Sequence, residues 1–250
     1  MSVIERLLQV VEREERAVLF TVIEGEPVGA HALVLEGGTE RLGEGIPEEL
    51  IERADELIRA HRNEILEHGD ARVFAEVYGP PPRLFVYGAV DTAESLCSLA
   101  KLLGWHTIVA DARGKFATRE RIPSADELIV AWPEEALAQV APYHATAVVV
   151  LTHDDKFDVP ALKAALATDA FYVGALGSRR NQERRRERLL EAGVDEDALE
   201  RIAGPCGLDL GAEAQPETAL SILAEVVAAR NGREGGPLKT AKKRIHAAAD

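Results

Sequence analysis

Two arginines sit where a helix should repel them, and they are the clearest chemical signal in the chain. In "GALGSRRNQERRRERLL", Gly177 leads into Ser178, a residue type that caps helices, so Arg179 and Arg180 fall in the first turn. Cations there oppose the helix macrodipole, so helix stability alone would not select them. An anion at that turn would meet backbone N–H groups, the positive end of the dipole and two guanidinium groups together. The later arginines, Arg184, Arg185, Arg186 and Arg188, are interleaved with Glu183, Glu187 and Glu191 and read as a solvated face with i,i+4 ion pairs. A second candidate is "GPCGLDLGA", where Gly204, Gly207 and Gly211 would let a loop turn N–H groups toward an anion. Asp209 either fixes that loop or bonds the amino groups of a ligand. Cys206 is either a soft metal ligand or a small buried residue. Cys97, on an apolar helix face, reads as core.

Three further strand ends carry polar residues. "LFVYGAVDTAESL" reads as a strand passing through a glycine turn into a helix, the opening of a dinucleotide-binding fold. Gly88 supplies the turn, but Val90 stands where a second glycine would let a pyrophosphate approach the backbone. Asp91-Thr92-Ala93-Glu94 fits a capping box, so Asp91 is expected to occupy the phosphate seat itself. Asp111 ends the next apolar run where an acid would contact a nucleotide ribose; alternatively it pairs with Arg113. His153 and Asp154 follow "AVVVLT". They are too few for a structural metal site, and Thr152 or Asp154 capping the next helix is the plainer reading.

Positioning these residues requires a parallel sheet. "LFVY", "TIVA", "LIVAW", "AVVVLT" and "FYVGAL" are continuous apolar runs between helical stretches, so both faces of the sheet are buried. In such sheets ligands sit beyond the carboxyl ends of the strands, where the strand order reverses. The prolines of "YGPPPR" separate this region from a smaller one. There Ile4, Leu7, Leu8 and Val11 recur at helical spacing, "AVLFTVIEG" and "VGAHALVLEGG" read as paired strands, "PEELIERADELIRAHRNEIL" as one helix, and "ARVFAEVY" as a strand. The expected fold class is α/β: a smaller α+β domain over residues 1–79, then a Rossmann-like, doubly wound parallel sheet over 83–230. Residues 231–250 read as a loose tail.

The formal charge of −14 argues against nucleic acid and anionic membranes as partners. Two distant cysteines and the absence of a signal peptide or apolar span point to the cytoplasm.

The segments "VYGAVDTAESL", "DARGKFATRERIPSADELIVAWPEE", "VVVLTHDDKFDVPAL", "FYVGALGSRR" and "GPCGLDLGAEAQPETALSILAEVVA" occur in an order and spacing that resemble the XdhC/CoxI family, accessory proteins of molybdenum hydroxylases such as xanthine dehydrogenase. The resemblance implies a Rossmann-like second domain and a protein that binds molybdenum cofactor (molybdopterin, or its cytidine-dinucleotide form). Such a protein guards the cofactor during sulfuration and passes it to an apo-hydroxylase. It also implies a sulfurtransferase as a further partner and self-association as a homodimer.

Two departures stand out. The family turn reads Gly-Ala-Gly-His, where this chain has Val90 and Asp91 in the last two positions, and the family's Gly-Gly-Cys-Val-Glu segment corresponds to "LGEGIPEELI", which has no cysteine. The cofactor-binding residues expected are Gly88, Asp111, His153, Asp154, Gly177, Ser178, Arg179, Arg180, Gly207, Asp209 and Gly211, with no catalytic residue assigned. The competing readings are an NAD(P)-dependent oxidoreductase, which Val90 and Asp91 oppose, and a scaffold of the same fold that binds no cofactor.

Overall fold

The computed structural model describes residues 1–241, which divide into two compact units: Met1–Pro80 with residues 236–241, and Pro81–Gly235.

The first unit runs α1 (Val3–Glu12), β1 (Ala17–Glu24), β2 (His31–Leu35), β3 (Arg41–Gly43), α2 (Glu48–Ile51), α3 (Ala54–Ala60), β4 (Glu64–His68) and β5 (Ala71–Tyr78). Its sheet is antiparallel in the order β3-β2-β1-β5-β4. Alternation along β1 sends Val18, Phe20 and Val22 toward α2 and α3, and Ala17 and Leu19 toward α1. Ser2 and Glu5 close a capping box at the start of α1. The buried face of α1 is Val3, Arg6 and Val10, with Arg6 held by Glu15 (2.7 Å) and Glu40 (2.9 Å), while Ile4, Leu8 and Val11 face solvent.

The stretch 47–66 is not one helix. His61 turns to φ 46° and ends α3, and β4 then pairs with β5 through a turn at Gly69 (φ +59°). Pairing aligns Leu66 with Val73, both buried, and gives the outer edge of β5 a hydrogen-bonding partner, which outweighs a few more helical residues.

The second unit runs β6 (Arg83–Tyr87), α4 (Asp91–Leu102), β7 (His106–Ala110), β8 (Glu127–Ile129), α5 (Pro133–Val140), β9 (Thr146–Val150), α6 (Asp155–Leu166), β10 (Tyr172–Ala175), α7 (Arg179–Glu191), α8 (Glu196–Leu199), β11 (Ile202–Ala203) and α9 (Gln215–Arg230). The sheet is parallel throughout, ordered β11-β10-β9-β6-β7-β8. The chain therefore builds outward from β6 in one direction and from β9 in the other. The strand order reverses between those two central strands, which makes a crevice at their carboxyl ends. Leu84 and Val86 pack with α4 and α9, and Phe85 and Tyr87 with α5 and α6, which is why the runs are apolar without interruption.

The chain beyond Asn231 forms a short 3-10 turn at Leu238–Thr240, and residues 242–250 of the expected loose tail lie outside the described residues. Among the described residues no helix is long and apolar enough to cross a membrane.

One carboxylate ties β7 to β8. Asp126 accepts from the Thr107 backbone (2.8 Å) and hydroxyl (2.9 Å) and pairs with Lys101 (2.9 Å). Burial pushes its carboxyl up, but these bonds outweigh burial and hold it at about 2, below the ordinary 3.8. A depressed folded-state value gives stability that is present above the unfolded value and lost as pH falls through the folded one. Asp126→Asn is expected to lower stability at neutral pH by roughly 1–2 kcal/mol, a difference that disappears between about pH 4 and pH 2. Urea midpoints across that range check it, and parallel curves for the two proteins would contradict it.

Candidate functional site

Five loops meet along the carboxyl edge of the parallel sheet, following β6, β7, β9, β10 and β11. The loops after the two central strands touch at Gly88. Its φ is +111°, and a Cβ there would lie 2.9 Å from Thr152 Cγ2 and 3.2 Å from Thr152 N. Only glycine lets the turn after β6 pass this close to the loop after β9. Gly88→Ala is expected to cost about 2–4 kcal/mol through backbone strain and overpacking, with part recovered by adding Thr152→Ser, which removes the contacted methyl. A urea midpoint equal to that of the parent would show that the two loops are not in contact.

Asp91 does not cap its helix. The N-cap position of α4 is Val90, and no side chain caps it; Asp91 is the first helical residue and pairs with Arg121 at 3.1 Å. Glu94 reaches not back to the turn but across to Ser124, taking its N–H (3.0 Å) and hydroxyl (2.5 Å). The expected occupation of the phosphate seat by Asp91 is thus corrected. A nearby guanidinium competes for the carboxylate once the helix starts one residue early.

Asp111 follows β7 directly, as a ribose-binding acid would, but the residue is 1 % exposed. Its carboxylate accepts from Ala89 N (3.0 Å), Arg113 N (2.9 Å), Arg113 Nε (2.9 Å) and Arg113 Nη2 (2.9 Å). Burial pushes this carboxyl up, and the bonds from the Arg113 side chain, the Arg113 backbone and Ala89 more than reverse that, leaving it below the ordinary value. With roughly four acceptor sites on a carboxylate, none is left over for a ribose.

The loop after β9 divides by residue. Asp154 caps α6, accepting from Lys156 N at 3.1 Å, and His153 is exposed with no partner among the described residues. Thr152 turns inward and donates its hydroxyl to Asp158, whose other oxygen meets Arg185 Nη2 at 2.7 Å. The same arginine donates to Leu176 O (2.9 Å) and to Gln182 Oε1 (2.5 Å), and Gln182 Nε2 donates to Ala175 O (3.2 Å). Arg185 is 5 % exposed, which corrects its reading as a solvated residue. It joins α7 to α6 and fixes the loops after β9 and β10 as one body. Arg184, Arg186 and Arg188 do lie on the outside, paired with Asp155, with Glu196 and Glu200, and with Glu191.

At the end of β10, Gly177 takes φ +144° and Ser178 caps α7 by accepting from Asn181 N at 3.3 Å. Arg179 and Arg180 follow, exposed and with no carboxylate partner among the described residues. The loop after β11 is seated from below. Gly207 N donates to Glu225 Oε2 (2.7 Å), which also accepts from the Tyr172 hydroxyl, and Ser221 Oγ donates to Leu208 O (2.6 Å). Gly207 sits at φ +111° with room for no Cβ, since one would lie 2.4 Å from Ser221 Oγ. Glu225 and Ser221, which carry no signal in the sequence, therefore fix the loop in place of Asp209. Asp209 itself is exposed and without a partner among the described residues, and the backbone turn at Gly211 (φ +67°) is open to solvent.

The cysteines offer no thiolate. Burial pushes Cys206 up to about 12, with Glu225 adding to it, and burial likewise pushes Cys97 up to about 12. Among the described residues no group of three or more His, Cys, Asp or Glu could hold a metal ion. In the first unit, residues 42–51 border a depression of about 640 Å³ lined by Pro27, His31, Gly43 and Gly45.

Residues 84–226, more than half of the chain, match the XdhC Rossmann domain. The chain is 33% identical over 167 residues to a Bacillus subtilis protein described as a probable xanthine dehydrogenase subunit, covering 66% of this chain and 48% of that protein. It is 32% identical over 157 residues to the molybdenum cofactor insertion chaperone PaoD of Escherichia coli, covering 63% and 43%. The chain thus spans about half or less of the length of these relatives. A solved structure described as a xanthine dehydrogenase from Bacillus halodurans shares its fold, with a TM-score of 0.68 at 24% identity over 95% of this chain and 66% of that one. The match to the XdhC Rossmann domain covers more than half of the chain, and the chain belongs to the XdhC family.

Proposed function

We propose that this chain is a cytoplasmic accessory factor that binds molybdenum cofactor at the carboxyl edge of its parallel sheet and delivers it to the apo form of a xanthine dehydrogenase-type hydroxylase. The observation that carries the reading is Arg179 and Arg180: two exposed guanidinium groups without carboxylate partners among the described residues, in the first turn of a Ser178-capped helix, in a chain of net charge −14. Cations held against the helix dipole in an acidic protein suit a dianionic phosphate such as the cofactor carries. The donor set fits that phosphate. It does not fit ligation of the metal by this chain, because both thiols are buried and protonated.

In this reading Arg179 and Arg180 hold the phosphate, Gly177 and Gly207 let the backbone come close, and the Arg185–Asp158–Thr152 network keeps the loops from shifting. His153, Asp154, Asp209 and Gly211 lie along the same edge, with the two aspartates and His153 exposed. When loaded into the hydroxylase, the cofactor supplies the metal centre of that enzyme; this chain contributes binding, orientation and shielding from water. A sulfurtransferase acting on the bound cofactor and a homodimeric assembly belong to the same proposal, and the names of the relatives support its link to molybdenum cofactor.

The test mixes the purified chain with molybdopterin cofactor and, separately, with NAD⁺ and NADP⁺, then measures what co-elutes on gel filtration. Pterin co-elution without nicotinamide is expected. Nicotinamide retained alone would replace this reading with an oxidoreductase, and retention of neither would leave a scaffold.

A further inference from the structure

We infer that the ends of β6, β7 and β8 form a second subsite, built on Arg113, that takes a flat heterocycle with hydrogen-bond acceptors on its edge, as a pterin ring has. The inference rests on the function proposed above and names what lies beyond the phosphate in the same cleft.

Arg113 is the central feature. Its Nε and Nη2 grip both oxygens of the buried Asp111, so the plane of the guanidinium is fixed. Its Cζ lies 4.3 Å from the centroid of Phe116 and 5.5 Å from that of Phe157, so aromatic rings from two different elements hold it. The side chain is still 39 % exposed, and Nη1 has no hydrogen-bond partner among the described residues. A guanidinium presents five N–H groups in a rigid fork, so Arg113 is a fixed donor with an unused edge.

The surroundings suit a ring. Phe157, 4 % exposed, backs both Arg113 and Trp132 from below the surface. Trp132 stands beside it at 5.4 Å between centroids, yet is 51 % exposed, and the neighbouring Val130 is exposed too. The Tyr87 hydroxyl donates to Ala131 O (3.3 Å) and ties this segment to the end of β6. Lys156 stands 4.6 Å over Phe157, and Lys115 stands 5.1 Å over Phe116. An exposed indole and a pinned guanidinium, both backed by a buried phenyl and beside the point where strand order reverses, are the parts that stack a heterocycle and bond its edge. A ribose is a poorer match, because the carboxylate that would bond its hydroxyls is already saturated by Arg113 and Ala89.

The chain has two tryptophans, and they are suited to the test: Trp105 is 5 % exposed, whereas Trp132 is at the subsite. Tryptophan fluorescence of the full chain is titrated with pterin-6-carboxylate, AMP and inorganic phosphate, with inner-filter correction. Saturable quenching by the pterin is expected, absent in Trp132→Phe and shifted about tenfold to weaker binding in Arg113→Lys, which keeps the charge but loses the planar fork. Equilibrium dialysis of the pterin against Trp132→Ala, which leaves the Asp111 clamp intact, should show weaker binding by a protein that still unfolds in one cooperative urea transition. Tighter quenching by AMP, or pterin binding unaffected in both Arg113→Lys and Trp132→Ala, would overturn the subsite. Retention of whole cofactor with no pterin response would remove the subsite and keep the proposed function; pterin quenching without cofactor retention would do the reverse.

Discussion

Arg185→Met is expected to lower the stability of the parallel-sheet unit by about 3–5 kcal/mol, the usual cost of leaving one partner of a buried ion pair alone. The side chains of Arg185 and Asp158 are 6 % and 4 % exposed. Methionine fills much of the same volume, so the loss comes from polar groups and not from a cavity. Asp158 would keep only the Thr152 hydroxyl, and Leu176 O and Gln182 Oε1 would each lose a donor. The same helix supplies the control. Arg184 and Arg186 make exposed pairs with Asp155 and Glu196, and their replacement should cost less than about 1 kcal/mol. Adding Asp158→Asn to Arg185→Met removes the orphaned charge while keeping an acceptor for Thr152, and should recover part of the loss. Urea unfolding of the four variants decides it. A loss from Arg185→Met no larger than that from Arg184→Met would return Arg185 to the solvated face.

The second large effect is on binding. Replacing both Arg179 and Arg180 with alanine should weaken retention of molybdopterin cofactor by at least about a hundredfold, taking about 1.5–3 kcal/mol for each lost charged hydrogen bond. The fold should not suffer, since neither side chain has a partner among the described residues and both oppose the dipole of α7. Removing them is expected to hold stability or raise it by a few tenths of a kcal/mol. Loss of ligand with no loss of stability distinguishes a binding role from a structural one, and Arg184→Ala, one turn further along, should change neither by much.

Continuous apolar runs mark five of the strands of the parallel sheet, because burial on both faces leaves little choice of residue. The Ile202–Ala203 strand is not legible; two residues carry no periodicity, and only pairing with β10 defines them. The helix expected over 47–66 fails at His61, where long-range pairing with β5 overrides a local pattern.

At the site, Ser178 and Asp154 are readable as caps because capping depends on the next few residues alone. Asp91 misleads for the same reason: its partner, Arg121, is thirty residues away. Arg185 is hidden in a run of exposed arginines, and nothing local shows which one meets Asp158. Glu225 lies in a long helix, far in sequence from the glycine loop it holds. Chemistry that depends on neighbours in sequence is visible. Chemistry that depends on crossovers of the sheet is not.

The cofactor-binding role is tested most directly by equilibrium binding of molybdopterin cofactor to the unaltered chain and to the Arg179→Ala/Arg180→Ala double variant, measured side by side at two salt concentrations. Retention by the unaltered chain should weaken with salt, and it should be almost completely lost in a double variant that unfolds at the same urea midpoint. Equal retention by the two proteins would contradict it.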